Sequence, residues 1–323
     1  MRVAIAYDAH AAATTVAADV AGVLETVDAA CAALTSLDHE CVRIGIADVG
    51  GVERTLSMCD ADAVFNLCEG VGGDAAMEAD VARAIAGAGR PFTGAPPEAL
   101  ALARRKDEVN ALLRTRVPVP HWALVTPAFD LATDWAHYPA IVKPAGEDAG
   151  IGIDSGAVAH DADELERALH DARAHAPLIV QQFVDGIELI VGFVGDTALP
   201  IAEIDYSAMP PGLPHVVAYA AKWDAGSAED IGTRVVCPAR IDRALAARAL
   251  DTAGSAWRAV AGSGYGRVDL RADVDGVLHV LDVNPNADLA PSAGLARMAA
   301  AAGWTYTELV GRILNEALST VHA

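Results

Sequence analysis

Asp269, Asp282 and Asn284 lie on the two strands of one stretch, "GYGRVDLRADVDGVLHVLDVNPN", which reads as two strands joined by a turn. Residues two apart on a strand share a face, so Asp282 and Asn284 point the same way. Asp269, on the neighbouring strand, could sit opposite them. Two carboxylates and an amide oxygen are hard ligands of the kind magnesium takes, with its other positions left for water or phosphate oxygens. Arg267 shares the face of Asp269 and would add a cation. Spacing alone is equally consistent with a hairpin whose polar face is solvated.

Two further stretches could hold a phosphorylated ligand. "IVKPAGEDAGIGI" places Lys143 at a strand end, before a loop carrying Gly146, Gly150 and Gly152. Such a loop lets backbone N–H groups approach phosphate while the lysine neutralises it. It matches neither a P-loop nor a dinucleotide fingerprint, and an ordinary hairpin turn is the competing reading. "LIVQQFVDGIEL" could supply a strand edge, Gln181 to Val184, for a flat ring, with Glu188 following to accept sugar hydroxyls. A buried strand ending in a "DG" turn explains it as well. The chain has 23 basic residues, yet its only lysines are Lys106, Lys143 and Lys222. A lysine is a compact point charge where arginine is a planar fork.

The elements that must position these groups alternate strand and helix. "RVAIAY", an Ala-rich helix over 14–35, "ECVRIGI", "AVFNLCEG" and a helix over 74–89 predict a mainly parallel α/β unit of about a hundred residues. One helix, "PEALALARRKDEVNALLRTR", then leads into strands around Lys143 and the amphipathic "DADELERALHDARAH". A last set of strands is interrupted by a polar excursion from Ser207 to Gly232. A helix over 240–261 precedes the metal-type hairpin, and "TYTELVGRILNEALS" closes the chain. The expected units are 1–96, 97–178 and 179–323.

The chain's 323 residues suffice for two or three domains. Its net charge of −21 argues against nucleic acid or an anionic membrane as partner, because phosphate-rich polymers need many Lys and Arg contacts. There is no bilayer-length apolar run and no basic start followed by an apolar core, so a soluble cytoplasmic protein is expected. The five cysteines (Cys31, Cys41, Cys59, Cys68, Cys237) show no metal spacing and are expected as buried free thiols.

In this order, "FNLCEGVGG…E…PFTGAPPEALALARRK", "VPVPHWALV", "YPAIVKPAGEDAGIGI", "LIVQQFVDGIEL", "YAAKW", "CPA" and "GYGRVDLRADVDGVLHVLDVNPNADL" resemble the ATP-grasp superfamily, specifically the D-alanine–D-alanine-ligase-like carboxylate–amine ligases. The resemblance covers nearly the whole chain. It implies a three-domain α/β fold, with a parallel N-terminal α/β domain, a central α+β lid domain and a C-terminal α+β domain. It also implies ATP held between the last two, two Mg²⁺ ions (Mn²⁺ as an alternative), small-molecule substrates and a homodimer. Lys106 and Lys143 match the lysines on the α- and β-phosphates, and Lys222, followed by Trp223, matches the lysine of the closing loop. Gln181, Gln182, Phe183 and Val184 match the adenine edge, with Gln181 standing where the family often has Glu. Glu188 matches the ribose carboxylate, and Asp269, Asp282 and Asn284 match the metal ligands, Asp282 replacing a more usual Glu. Arg267 matches the arginine that stabilises the acyl phosphate. The implied reaction activates a carboxylate as an acyl phosphate and joins it to an amine, releasing ADP and phosphate.

The resemblance departs at the substrate end. Where those ligases hold amino acids, this chain has Asp8 and His10, Cys68 and Glu69 in place of a His–Gly pair, and Asp288 in place of a glycine, beside Asn286. An aspartate there would repel an acceptor carboxylate, so a cationic or amine acceptor is expected. "GEDAGIG" also lacks the paired serines usual at phosphate. A true D-alanine–D-alanine ligase, a ring-closing ligase, an ATP-dependent kinase and a non-catalytic nucleotide-binding protein are the other readings.

Overall fold

The computed structural model describes residues 1–12, 18–147, 150, 152–154 and 156–320. The first strands and helices run β1 (Arg2–Asp8), α1 (Ala18–Ser36), β2 (Glu40–Ile46), α2 (Val52–Met58), β3 (Ala63–Asn66) and α3 (Glu78–Gly87). The strands form a parallel sheet in the order β2-β1-β3, as the alternation of strand and helix requires. Residues 14–17 of the expected first helix lie outside the described residues. Cys31 of α1 and Cys41 of β2 are joined in a disulfide, which corrects the expectation of five free thiols. Their separation in sequence carries no pairing signal, and only the packing of helix on strand brings their Cα atoms to 5.6 Å.

The single helix expected over 97–116 is two, α4 (Pro97–Ala103) and α5 (Lys106–Leu113). Neither glycine nor proline marks the break. It falls at Arg104–Arg105, where the Lys106 N–H donates to the Ala145 carbonyl at 3.1 Å and the chain turns toward the middle of the molecule. There β4 (Trp122–Val125), α6 (Leu131–Asp134), β5 (Ala140–Pro144), β6 (Val158–Ala159), α7 (Ala162–Ala172) and β7 (Leu178–Gln182) build an antiparallel sheet in the order β4-β7-β5-β6. Asp161 caps α7 by accepting from the Glu164 N–H. Strand β7 carries this sheet across the 178/179 boundary expected from the sequence.

The third sheet comprises β8 (Ile187–Val194), β9 (Thr197–Ala198), β10 (Ala202–Asp205), β11 (Arg234–Val236), β12 (Tyr265–Ala272) and β13 (Leu278–Asn284), with β12 between β8 and β13. The polar excursion between β10 and β11 holds two short helices, α8 (Tyr219–Trp223) and α9 (Ala228–Gly232). Helix α10 (Arg243–Ala259) follows, capped by Asp242, and α11 (Gly294–Ala301) and α12 (Tyr306–Thr320) close the chain.

Strand alternation divides β12 cleanly. Val268 and Leu270 face inward with Leu189, Val191 and Phe193 of β8 and Val280 and Val283 of β13. Against them α10 lays Ala249, Ala253, Ala256 and Trp257, a spacing that puts all four on one helix face. Trp257 stacks on Phe193 with ring centroids 5.3 Å apart. Gly266 lets this layer close: a Cβ there would stand 2.6 Å from the Trp257 ring and 2.5 Å from the Asn284 carbonyl oxygen. Gly266→Ala is therefore expected to lower the unfolding free energy by about 1–3 kcal/mol, the usual cost of overpacking. Denaturant titration reads this, and an unchanged midpoint would mean that the layer accommodates a methyl group.

Candidate active site

The other face of the same strands carries the chemistry. In the β8–β12–β13 ladder Arg267 lies opposite Asn284, Asp269 opposite Asp282, and Arg271 opposite Glu188. The register shifts between Asp269 and Leu270, so that Leu270 pairs with Val280 and Leu281 is the extra residue of a bulge. These groups line a cleft of about 300 Å³ whose opposite wall is built by Ile141, Lys143 and Gln181 to Val184 of the middle sheet. All three lysines of the chain, Lys106, Lys143 and Lys222, line it too.

The Arg267 guanidinium lies 3.3 Å from one Asp269 oxygen. The other, Oδ1, is buried and accepts no hydrogen bond among the described residues. Burial, opposed by Arg267, raises the Asp269 carboxyl to about 6. Asp282 is 3.5 Å from the Lys106 ammonium, and its Oδ1 accepts from the Val283 N–H. Asn284 Oδ1 accepts from the Asn286 N–H at 2.8 Å, which leaves that oxygen a second lone pair. A buried carboxylate oxygen with no partner, beside a second carboxylate and an amide oxygen, is a donor set that suits a hard divalent cation. The residues fit the metal the sequence implied.

At the nucleotide-type end, Lys143 donates to Gln181 Oε1 at 2.8 Å. Burial lowers the Lys143 ammonium to about 8, with Asp282 opposing the shift and Lys106 adding to it. Glu188 is not the bare carboxylate the sequence suggested. Its Oε2 accepts from Arg271 Nε at 3.0 Å, from Arg271 Nη2 at 2.6 Å and from the Tyr206 hydroxyl at 2.8 Å. Arg271 also donates to the carbonyls of Val184 and His215 and lies over the Phe183 ring, 4.8 Å from its centroid. It thus ties the strand edge, the carboxylate and the excursion together. Sequence reasoning missed Arg271 although it stands two residues after Asp269, in step with Arg267 and on their face. Trp223 does not line the cleft, because one turn of α8 cannot aim both it and Lys222 the same way. Its ring sits 6.4 Å from that of Tyr219.

Of the sequence-predicted substrate residues, Asn286, Glu69 and Asp288 act on Tyr265. The Tyr265 hydroxyl donates to Asn286 Oδ1 at 2.8 Å, and Asn286 Nδ2 donates to Glu78, the glutamate of the quoted "FNLCEGVGG…E…PFTG" stretch, to which the sequence reading gave no role. Burial pushes the Tyr265 hydroxyl well up, and Glu69, Glu78 and Asp288 push it further. His10 pairs through its ring with buried Asp8 at 2.9 Å, and Asp8 also accepts from the Gly73 N–H. Asp288 is exposed, and one of its oxygens accepts from the Ala290 N–H. Burial drives the Cys68 thiol up to about 12, with acidic neighbours adding to the shift, and the thiol donates to the Gly70 carbonyl. It is held protonated and is no nucleophile. Asp148, Ala149 and Ile151 of the glycine-bearing loop lie outside the described residues. Gly150 lines the cleft at positive φ, where a Cβ would come within 3.2 Å of the Tyr219 nitrogen of the excursion.

Comparisons with known proteins agree with this geometry. The family model described as D-ala D-ala ligase C-terminus matches residues 117–315. A D-alanine–D-alanine ligase of Gluconobacter oxydans is 28% identical over 90% of this chain and 93% of its own length. One from Synechococcus is 31% identical over 71% of this chain and 69% of its own. Among solved structures, the ATP complex of the Bacillus anthracis D-alanine–D-alanine ligase superposes with a TM-score of 0.79 at 20% identity, covering 99% of this chain and 98% of that one. The VanG D-Ala:D-Ser ligase of Enterococcus faecalis gives 0.77 at 17% identity, covering 98% and 99%. No helix among the described residues is long and apolar enough to cross a membrane. With a shared ATP-grasp fold, a family match over most of the chain and a cleft holding every lysine it has, the chain belongs to the D-alanine–D-alanine ligase family of ADP-forming, ATP-dependent carboxylate–amine ligases.

Proposed function

We propose that the protein activates a small carboxylate with ATP and joins it to a cationic or amine nucleophile, acting as a cytoplasmic homodimer. The observation that carries the ATP reading is the charge arrangement of one cleft. Five cationic side chains line it in a chain of net charge −21, and a paired aspartate site lies beside them. In this reading residues 1–96 present the substrate, while 97–178 and 179–323 hold the nucleotide between them. Lys106, Lys143 and Lys222 neutralise the triphosphate. Gln182, Phe183 and Val184 meet the base, and Glu188, oriented by Arg271, meets the ribose. Asp269, Asp282 and Asn284 would hold two magnesium ions, which supply charge neutralisation at the transferring phosphoryl group. Arg267 faces the acyl phosphate and compensates its negative charge. The excursion carrying Lys222 excludes water from that intermediate.

The acceptor end supports a positively charged partner. Glu69, Glu78 and Asp288 all raise the Tyr265 hydroxyl, so a carboxylate arriving there would enter a region of negative potential. The relatives named D-alanine–D-alanine ligase favour a second reading, in which D-alanine serves as both substrates.

The deciding experiment measures ADP release with Mg-ATP against pooled amino acids, carboxylates and amines, with mass spectrometry of the products. Release requiring two compounds, with a joined product one water lighter, is expected. Turnover with D-alanine alone would select the second reading, and a phosphorylated product without ligation would replace both with a kinase. Asp269→Ala and Asn284→Ala should each abolish ADP formation while leaving the circular dichroism spectrum intact; retained turnover would remove the metal assignment. Asp288→Gly should raise KM for the amine about 1.5- to fivefold, the range for an exposed charge pair, with little change in kcat. An unchanged KM would take Asp288 out of the acceptor site.

Arg271 allows a separate check on the nucleotide end. Arg271→Met leaves Glu188 buried without its cation, and the expected loss is about 3–5 kcal/mol of stability. Adding Glu188→Leu should restore most of the stability but not the ATP affinity. Recovery of both would deny the pair any part in nucleotide binding.

A further inference from the structure

Beyond Lys143 the chain leaves β5 at Pro144, and its next two carbonyls both bond to the break between α4 and α5. The Ala145 carbonyl accepts from the Lys106 N–H at 3.1 Å, and the Gly146 carbonyl accepts from Arg104 Nη2 at 2.6 Å. The Ala145 N–H is tied as well, donating to the Pro177 carbonyl at 2.7 Å. Contact with the break is close: a Cβ on Gly146 would stand 3.6 Å from the Arg104 carbonyl oxygen. Arg104 does not itself line the cleft, so any part it has there is played through the loop it grips.

Peptide planarity converts that grip into an orientation. The 145–146 and 146–147 peptides are both trans, and in a trans peptide C=O and N–H point opposite ways. With the Ala145 and Gly146 carbonyls drawn onto the break, the N–H groups of Gly146 and Glu147 are turned away from it. Neither donates to an acceptor among the described residues. The sequence from Ala145 to Ile153, "AGEDAGIGI", has no serine or threonine, so no hydroxyl can donate here. Glu147 lines the cleft with a carboxylate, which repels phosphate. Backbone N–H groups are then what this stretch can offer an anion, and successive N–H groups are the usual makings of an anion-binding concavity.

We propose that Arg104 is a positioning residue for the nucleotide's phosphates: its bond to the Gly146 carbonyl holds the 146–147 peptide with the N–H toward the phosphate chain. The assignment rests on the cleft being the ATP site. It also gives the α4–α5 break a function. One uninterrupted helix would return the Lys106 N–H to the Leu102 carbonyl and take Arg104 off the loop.

Equilibrium binding of Mg-ATP and of adenosine to the intact protein and to Arg104→Met tests this without knowledge of the substrates. The variant should bind Mg-ATP about three- to tenfold more weakly, the range for one net hydrogen bond. Adenosine, which has base and sugar but no phosphate, should bind within about twofold of the wild type. The ATP loss should persist from about 0.05 M to about 0.5 M salt, since salt screens a distant cation but not a misplaced peptide. In the wild type, Mg-ATP should slow hydrogen exchange at Gly146 and Glu147 while adenosine leaves it unchanged, a measurement that needs no variant to fold. Unchanged ATP affinity, equal losses for ATP and adenosine, or a loss that vanishes at high salt overturns the inference and leaves the ATP site standing. So does exchange that Mg-ATP does not slow. A wild type that binds no ATP would sink the functional reading and this inference with it.

Discussion

The pleat of β12 is the constraint on which the rest of the structure depends. Because successive side chains alternate, one strand contributes both to the core against Trp257 and to the wall of the cleft, with no residue serving both. Its neighbours β8 and β13 must then keep register to within one residue, since a slip would bury Asp269 against α10 and turn Leu270 into the cleft. The bulge at Leu281 is tolerated because the register is pinned on both sides of it, by Arg267 opposite Asn284 below and Ala272 opposite Leu278 above. The packing that stabilises the sheet therefore also sets the spacing of the candidate metal ligands.

Charge placed on such a wall has to be compensated before any ligand arrives. Glu188 and Arg271 do this for each other, cross-strand partners that are both buried, with the Tyr206 hydroxyl completing the set. A buried pair of this kind adds little net stability against a well-packed apolar alternative. Its value here is geometric. Arg271 spans β12, the Val184 carbonyl and the His215 carbonyl, so the strand edge at Val184 and the root of the Lys222 excursion cannot shift independently. Lys106 and Asp282 form a looser counterpart at 3.5 Å.

What could be read from the sequence is what depends on local periodicity or on rarity. Asp269, Asp282 and Asn284 were legible because a two-residue repeat determines facing within one hairpin. The three lysines were legible because so few exist, and the cleft gathers all of them. Arg271 obeyed the same repeat but takes its meaning from Glu188, a partner 83 residues away. Glu78 stood in the quoted family stretch, but its contact with Asn286, 208 residues distant, had no local signal. The break between α4 and α5 had no local signal, since two arginines are sound helix formers; the carbonyl of Ala145 claims the Lys106 N–H from outside the helix. The Cys31–Cys41 link, too, follows from a helix lying on a strand rather than from any spacing.

The side chains at the substrate end also constrain how the chemistry runs. A protein nucleophile would need a group able to lose its proton near neutral pH and to reach the reacting centre. Cys68 is held near 12 by burial, and Tyr265 is driven up by burial and three acids around it. Lys143, lowered to about 8, comes nearest, but its ammonium is committed to Gln181 at the opposite end of the cleft. Neither Cys68 nor Tyr265 is therefore poised to form a covalent intermediate with a substrate. In an ATP-dependent carboxylate–amine ligase the activated carbon is the substrate's own carboxylate, and the protein's part is orientation, charge compensation and exclusion of water. That division of labour matches a cleft built from fixed cations on rigid strands, closed by a polar excursion.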